Sequence, residues 1–113
     1  VARAEHFVAR YAMLGAMNEG PRTAPARELL LANHAFPGEY TVKAFGPSTA
    51  GFREAIEAAA AAVIGQTRTR VSERTSRAGA RVCITLDLNV ETVDEVIDVY
   101  ARIYQVSELK LVL

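Results

Sequence analysis

Apolar and polar residues along this chain repeat with two different periods. From Arg81 to Val90 the period is two: Val82, Ile84, Leu86, Leu88 and Val90 alternate with Arg81, Cys83, Thr85, Asp87 and Asn89. That alternation predicts a strand with one face buried and the other open. Tyr40 to Phe45 alternates in the same way, with Tyr40, Val42 and Ala44 on one side and Thr41, Lys43 and Phe45 on the other. Thr69–Ser76 and Leu109–Leu113 read as two further strands. Arg77-Ala78-Gly79-Ala80 supplies a hairpin loop between the second and third.

From Gly51 to Ile64 the period is that of a helix. Phe52, Ala55, Ile56, Ala59, Ala60 and Val63 make its inward stripe, and Gly65 suits its end. Thr92-Val93-Asp94-Glu95 has the spacing of a capping box. In such a box Thr92 accepts from the Glu95 amide, and Glu95 reaches back to the amide of Thr92. The helix that follows is expected to bury Val93, Val96, Ile97, Tyr100 and Ile103. Upstream, Ala26–Asn33 predicts a short helix around Leu29, Leu30 and Leu31, broken at Phe36-Pro37-Gly38. Ala2–Met17 predicts an amphipathic helix with a stripe of Ala4, Phe7, Val8, Tyr11 and Leu14, ended at Asn18-Glu19-Gly20-Pro21.

The order from Tyr40 onward is therefore β-α-β-β-α-β. Each helix has one apolar stripe and the sheet one apolar face. Placing both helices on that face gives a two-layer α+β sandwich of ferredoxin-like type, with antiparallel strand order 4-1-3-2. Residues 1–27 form an N-terminal helix and linker, and residues 28–113 the sandwich.

Composition narrows the function. Thirteen basic and thirteen acidic residues cancel, so the chain as a whole has no pull toward nucleic acid or anionic membrane. Its one cysteine, Cys83, has no partner for an intrachain disulfide. No Cys/His cluster suggests zinc, so neither metal nor cofactor is expected. No apolar run is long enough to span a bilayer. Arg3, Glu5, His6 and Arg10 interrupt any signal-peptide core. Cytoplasmic placement is the expectation.

Two surfaces could carry function. By strand parity the open sheet face holds Thr41, Lys43, Arg70, Ser72, Arg74, Arg81, Thr85, Asp87 and Lys110, of which Lys43, Arg70, Arg74, Arg81 and Lys110 are basic. This could be an anion or RNA platform, but an RNA platform needs aromatic residues on the central strands, and only Phe45 has the right parity. Nucleic acid is therefore disfavoured against a solvated or self-associating face. The second surface is the loop Gly46, Pro47, Ser48, Thr49 to Gly51, where amides entering a helix could hold a carboxylate. Its plain alternative is a helix start capped by Ser48 or Thr49. Cys83 has no base beside it in sequence, and His6 and His34 stand alone. No common catalytic motif is present. A non-enzymatic regulatory or protein-interaction domain is expected, homodimeric or with a protein partner. A small-molecule sensor is the alternative and RNA binding the second alternative.

The run Ala32-Asn33-His34-Ala35-Phe36-Pro37-Gly38-Glu39-Tyr40-Thr41-Val42-Lys43-Ala44-Phe45-Gly46 resembles the YbeD-like family of small bacterial proteins of unknown function. So do Arg70-Val71-Ser72-Glu73-Arg74, Val82-Cys83-Ile84-Thr85-Leu86 and the final Lys110-Leu111-Val112-Leu113. The resemblance implies an ACT-like sandwich, a regulatory module that often pairs. It also implies amino-acid binding at the loop after the first strand, here Gly46–Gly51, which carries no acidic residue. It brings no catalytic residues with it.

Overall fold

The computed structural model describes residues 24–113. The helix expected over Ala2–Met17, and His6 within it, lie outside the described residues. The described chain runs α1 (Arg27–Asn33), β1 (Gly38–Pro47), α2 (Ala50–Ile64), a 3-10 turn (Gln66–Arg68), β2 (Thr69–Thr75), β3 (Arg81–Val90), α3 (Val93–Ile103) and β4 (Leu111–Val112). The fold is mixed α+β, with one four-stranded antiparallel sheet and three helices. The strands lie in the order β2-β3-β1-β4, which counted from the other edge is 4-1-3-2.

β1 and β3 form the centre. Their register runs from Gly38 opposite Val90 to Pro47 opposite Arg81. Because side chains alternate, this register sends Tyr40, Val42 and Ala44 to the same face as Val82, Ile84, Leu86, Leu88 and Val90, and all eight are buried. α2 and α3 pack against each other and against that face, so one cluster holds the core. Ile84 and Leu86 are fully buried at its middle.

The helices bury slightly different residues from those expected. In α2 the buried set is Phe52, Ile56, Ala59, Ala60 and Ile64; Ala55 and Val63 are half-buried. In α3 Val99 is buried and Ile97 half-buried. Both helices pack on each other as well as on the sheet, and the buried line moves from Val63 to Ile64 in α2 and from Ile97 to Val99 in α3. α1 contributes Leu30 to the core while Leu29 and Leu31 stay exposed, since neighbours on a helix point about 100° apart. β4 is shorter than the expected Leu109–Leu113. Leu109 is buried ahead of it, and Leu113 beyond it still exchanges both backbone hydrogen bonds with Lys43.

Polar ties pin the layers together. Thr92 caps α3 by accepting from the Glu95 amide at 3.3 Å. The return bond of Glu95 goes to the amide of Glu91, at 2.7 Å, one residue earlier than the expected Thr92. Arg68 of the 3-10 turn joins this corner, donating through Nε to the Asn89 carbonyl at 3.0 Å and through Nη2 to Glu95 at 2.5 Å. Gly65 makes the approach possible: its φ of 84° lies in a region that residues with a side chain seldom adopt, and it turns the chain out of α2 into Gln66–Arg68. Inside the core the Tyr40 and Tyr100 hydroxyls are hydrogen-bonded at 3.0 Å. Burial pushes the Tyr100 phenol well above its ordinary range, so its hydroxyl stays protonated.

Two expectations follow. Leu86→Ala, at a fully buried central position, should cost about 2–5 kcal/mol in urea unfolding with little change in the denaturant slope. The Arg68 guanidinium holds the Glu95 carboxyl below its usual range. A depressed carboxyl adds stability above its ordinary pKa and loses it as pH falls through the folded-state value. The gap in melting temperature between the wild type and Arg68→Gln should therefore be widest near neutral pH and narrow as the pH falls below the ordinary carboxylate range.

Candidate functional site

The face of the sheet turned away from the helices carries the odd-numbered residues of β1 and β3 and the even-numbered residues of β2. Across the centre Phe45 stands opposite Cys83, Lys43 opposite Thr85 and Thr41 opposite Asp87. On the outer side of β3, Arg74 stands opposite Cys83, Ser72 opposite Thr85 and Arg70 opposite Asp87. On the outer side of β1, Leu111 lies opposite Phe45, and Leu113 meets Lys43. No described element lies over this face.

The chemistry of the face is uneven. Lys43, Arg70, Arg74 and Arg81 are all exposed, and among the described residues none has an ion-pair partner. Elsewhere Arg27 pairs with Asp94, Arg53 with Glu73, and Arg68 with Glu95 and Glu91. Asp87 is half-buried and accepts from the Thr41 hydroxyl at 2.8 Å. Lys110, expected with the other four cations, stands just ahead of β4 at the sheet's edge, where its amide donates to the Phe45 carbonyl. The side of β4 that meets the open face is apolar instead, through Leu111 and Leu113.

Phe45 departs furthest from its expected role. It lies on the open side of the sheet and outside the main core cluster, yet it is only 9 % exposed. Flanked by Cys83 and Leu111, it is the floor of an apolar corner that Leu111 and Leu113 extend, both half-buried. A phenyl ring so enclosed is no platform on which a base could stack. Cys83 sits at the centre of the same face, half-buried, and burial pushes its thiol up, away from the reactive thiolate.

The chain belongs to the family described as protein of unknown function (DUF493). Its family model matches residues 32–113. Comparison with curated proteins and with solved structures finds no match. The DUF493 region spans the whole sheet and both sandwich helices, and it starts near the end of α1.

The second candidate surface of this DUF493 chain, the loop Gly46–Gly51, is engaged in building the fold. The Ser48 amide donates to Ala80 and the Thr49 amide to Pro47. Thr49 caps α2, its hydroxyl accepting from the Phe52 amide at 3.2 Å. Gly46 has a steric reason to be glycine: a Cβ there would come within 2.4 Å of the Phe52 ring, which is fully buried and has nowhere to go. His34 is exposed over Tyr40, ring centroids 4.7 Å apart, with no acid or nucleophile bonded to it. Among the described residues there is no cluster that could hold a metal, and no helix long and apolar enough to cross a membrane.

The apolar corner was hard to see in the sequence because Phe45, Leu111 and Leu113 belong to separate strands. Only the β1–β4 pairing brings them together, and the signal for it was the common parity of Phe45 with Cys83.

If Gly46 serves packing, Gly46→Ala should destabilise the domain by about 1–3 kcal/mol, read by chemical unfolding. Combined with Phe52→Leu, the cost should be clearly less than the sum of the two single changes, because both act on the same contact.

Proposed function

We propose that this protein is a non-enzymatic, self-associating interaction domain of ferredoxin-like, ACT-like architecture, working in the cytoplasm, with the open sheet face as its contact surface. The β-α-β-β-α-β order with β1 and β3 central supports the architecture. The observation that carries the function is the enclosed Phe45 on the side of the sheet that no described element covers, with Leu111 and Leu113 beside it and four cations that have no acid partner among the described residues. An apolar patch bordered by polar and charged groups is common at protein contact surfaces. The Gly46–Gly51 loop is less suited to a ligand, since its amides and hydroxyl are engaged in the turn and the helix cap.

Amide spectra of the full chain, recorded from about 10 µM to about 500 µM, test this over the range where small interfaces associate. Concentration-dependent shifts should gather at Lys43, Phe45, Cys83 and Thr85. Shifts gathered at Leu29 and Leu31, or none at all, would overturn it.

A further inference from the structure

We propose that two copies of this chain pair face to face through a two-fold axis that runs along the strands between β1 and β3, with Lys43 of each copy set beside Asp87 of the other. This rests on the self-association proposed above and adds the arrangement and the residues that select it.

The register of the central strands decides the geometry. Phe45 and Cys83 stand at one level, Lys43 and Thr85 at the next, Thr41 and Asp87 at the one after. A two-fold axis along the strands, midway between β1 and β3, lays β1 of one copy over β3 of the other without changing level. Phe45 then meets the partner's Cys83, apolar against apolar. Lys43 meets the partner's Thr85, one level from the partner's Asp87. Symmetry makes each contact twice.

The outer strands follow from the same axis. β2 comes to lie over the partner's β4. Arg74 is level with Cys83 and Leu111 with Phe45, so Arg74 crosses the partner's Leu111. Ser72, level with Thr85, crosses the partner's Leu113. An arginine stem can lie along a leucine while its head stays wet. At no level does a cation face a cation.

The competing arrangement is worse. A two-fold axis across the strands at the level of Thr85 would stack Lys43 on the partner's Lys43 and Arg74 on the partner's Arg70. Like charges brought together in this way select against wrong pairings. Sheets packed face to face keep their strands within about 30° of each other, so twist displaces the outer contacts more than the central ones. The choice therefore falls to Phe45, Cys83, Lys43, Thr85 and Asp87.

Area sets the expected strength. Strands about 4.8 Å apart, full length in β1 and β3 and shorter in β2 and β4, span roughly 500 Å² per copy, against about 800 Å² for an ordinary stable interface. Such a pair should be a reversible dimer with a dissociation constant in the micromolar range.

Sedimentation equilibrium of the full chain tests this with Lys43→Asp, Asp87→Lys and the double variant. Lys43 is exposed and Asp87 half-buried at the surface, and a thermal melt of each variant checks that it is folded. Each single change should weaken the dimer about tenfold or more, since one substitution sets two like-charge contacts in the pair. The double change should return it to within about threefold of the wild type. Labelling of Cys83 by a maleimide should slow as the protein concentration passes the dissociation constant. A dimer that protects Cys83 but ignores the charge changes would overturn this arrangement and leave the contact face standing. A dimer that leaves Cys83 unprotected, or a monomer throughout, would overturn both.

Discussion

The pairing of β1 with β3 is the constraint on which everything else depends. Ten residues of each strand face one another, from Gly38 and Val90 to Pro47 and Arg81. Since side chains alternate along a strand, a slip of one residue would turn Val42 and Ala44 out to water and bring Lys43 into the core. The sheet cannot slip cheaply, because the eight inward residues of these two strands are the floor on which α2 and α3 rest. The same register that closes the core also assembles the other face. Phe45, Cys83, Lys43, Thr85 and Asp87 become neighbours only because Val42, Ile84 and Leu86 must be inside. The candidate contact surface is a by-product of core formation, and its register is the register of the core.

Polar contacts hold the helix layer in place over this floor. Arg68 reads the end of β3 through the Asn89 carbonyl and the start of α3 through Glu95. Arg53 of α2 pairs with Glu73 of β2, and Arg27 of α1 with Asp94 of α3. Exposed pairs of this kind add little stability one by one. Their placement matters more: each joins two separate elements. On the helix side Gly46 lets the Phe52 ring lie against the strand, and Thr49 starts α2 three residues before that ring. The loop read from the sequence as a candidate binding site is thus the joint between the sheet and its first helix.

Much of this was legible along the chain, and the reasons differ by element. β3 could be read to the residue, because five apolar positions alternate with five that are not, and a strand with one buried face has no other pattern. The helix stripes could be read to within one or two positions; the exchange of Ile97 for Val99, and of Val63 for Ile64, depends on how α2 packs against α3, which no single helix encodes. β4 is the weakest case. Lys110 to Leu113 has the residues of a strand, but only pairing with β1 decides how much of it is strand and which side faces out. The 3-10 turn and Arg68 could not have been read at all. Arg68 matters because Asn89 and Glu95, some twenty to thirty residues away, come to it in space. Phe45 was placed on the correct face by parity, but parity says nothing of enclosure, and its enclosure makes it a buried anchor where an exposed stacking ring had been considered.

Net charge conceals how the charges are arranged. The whole chain is neutral, yet Arg27, Arg53 and Arg68 find carboxylates while Lys43, Arg70, Arg74 and Arg81, on one face, have no ion-pair partner among the described residues. A purely solvated sheet face would need only hydroxyls and scattered charges to stay in water. This one also encloses a phenyl ring and brings two leucines to its edge. A sheet face of that composition is stable alone, since its long cationic stems can shield the apolar corner. It is equally able to give up that water to a surface offering apolar contact at Phe45 and a carboxylate near Lys43. The chain already carries such a surface, because Cys83 and Asp87 stand in the same order and at the same levels on the strand next to β1. The partner proposed for the face is therefore the face itself, turned about the line between its two central strands.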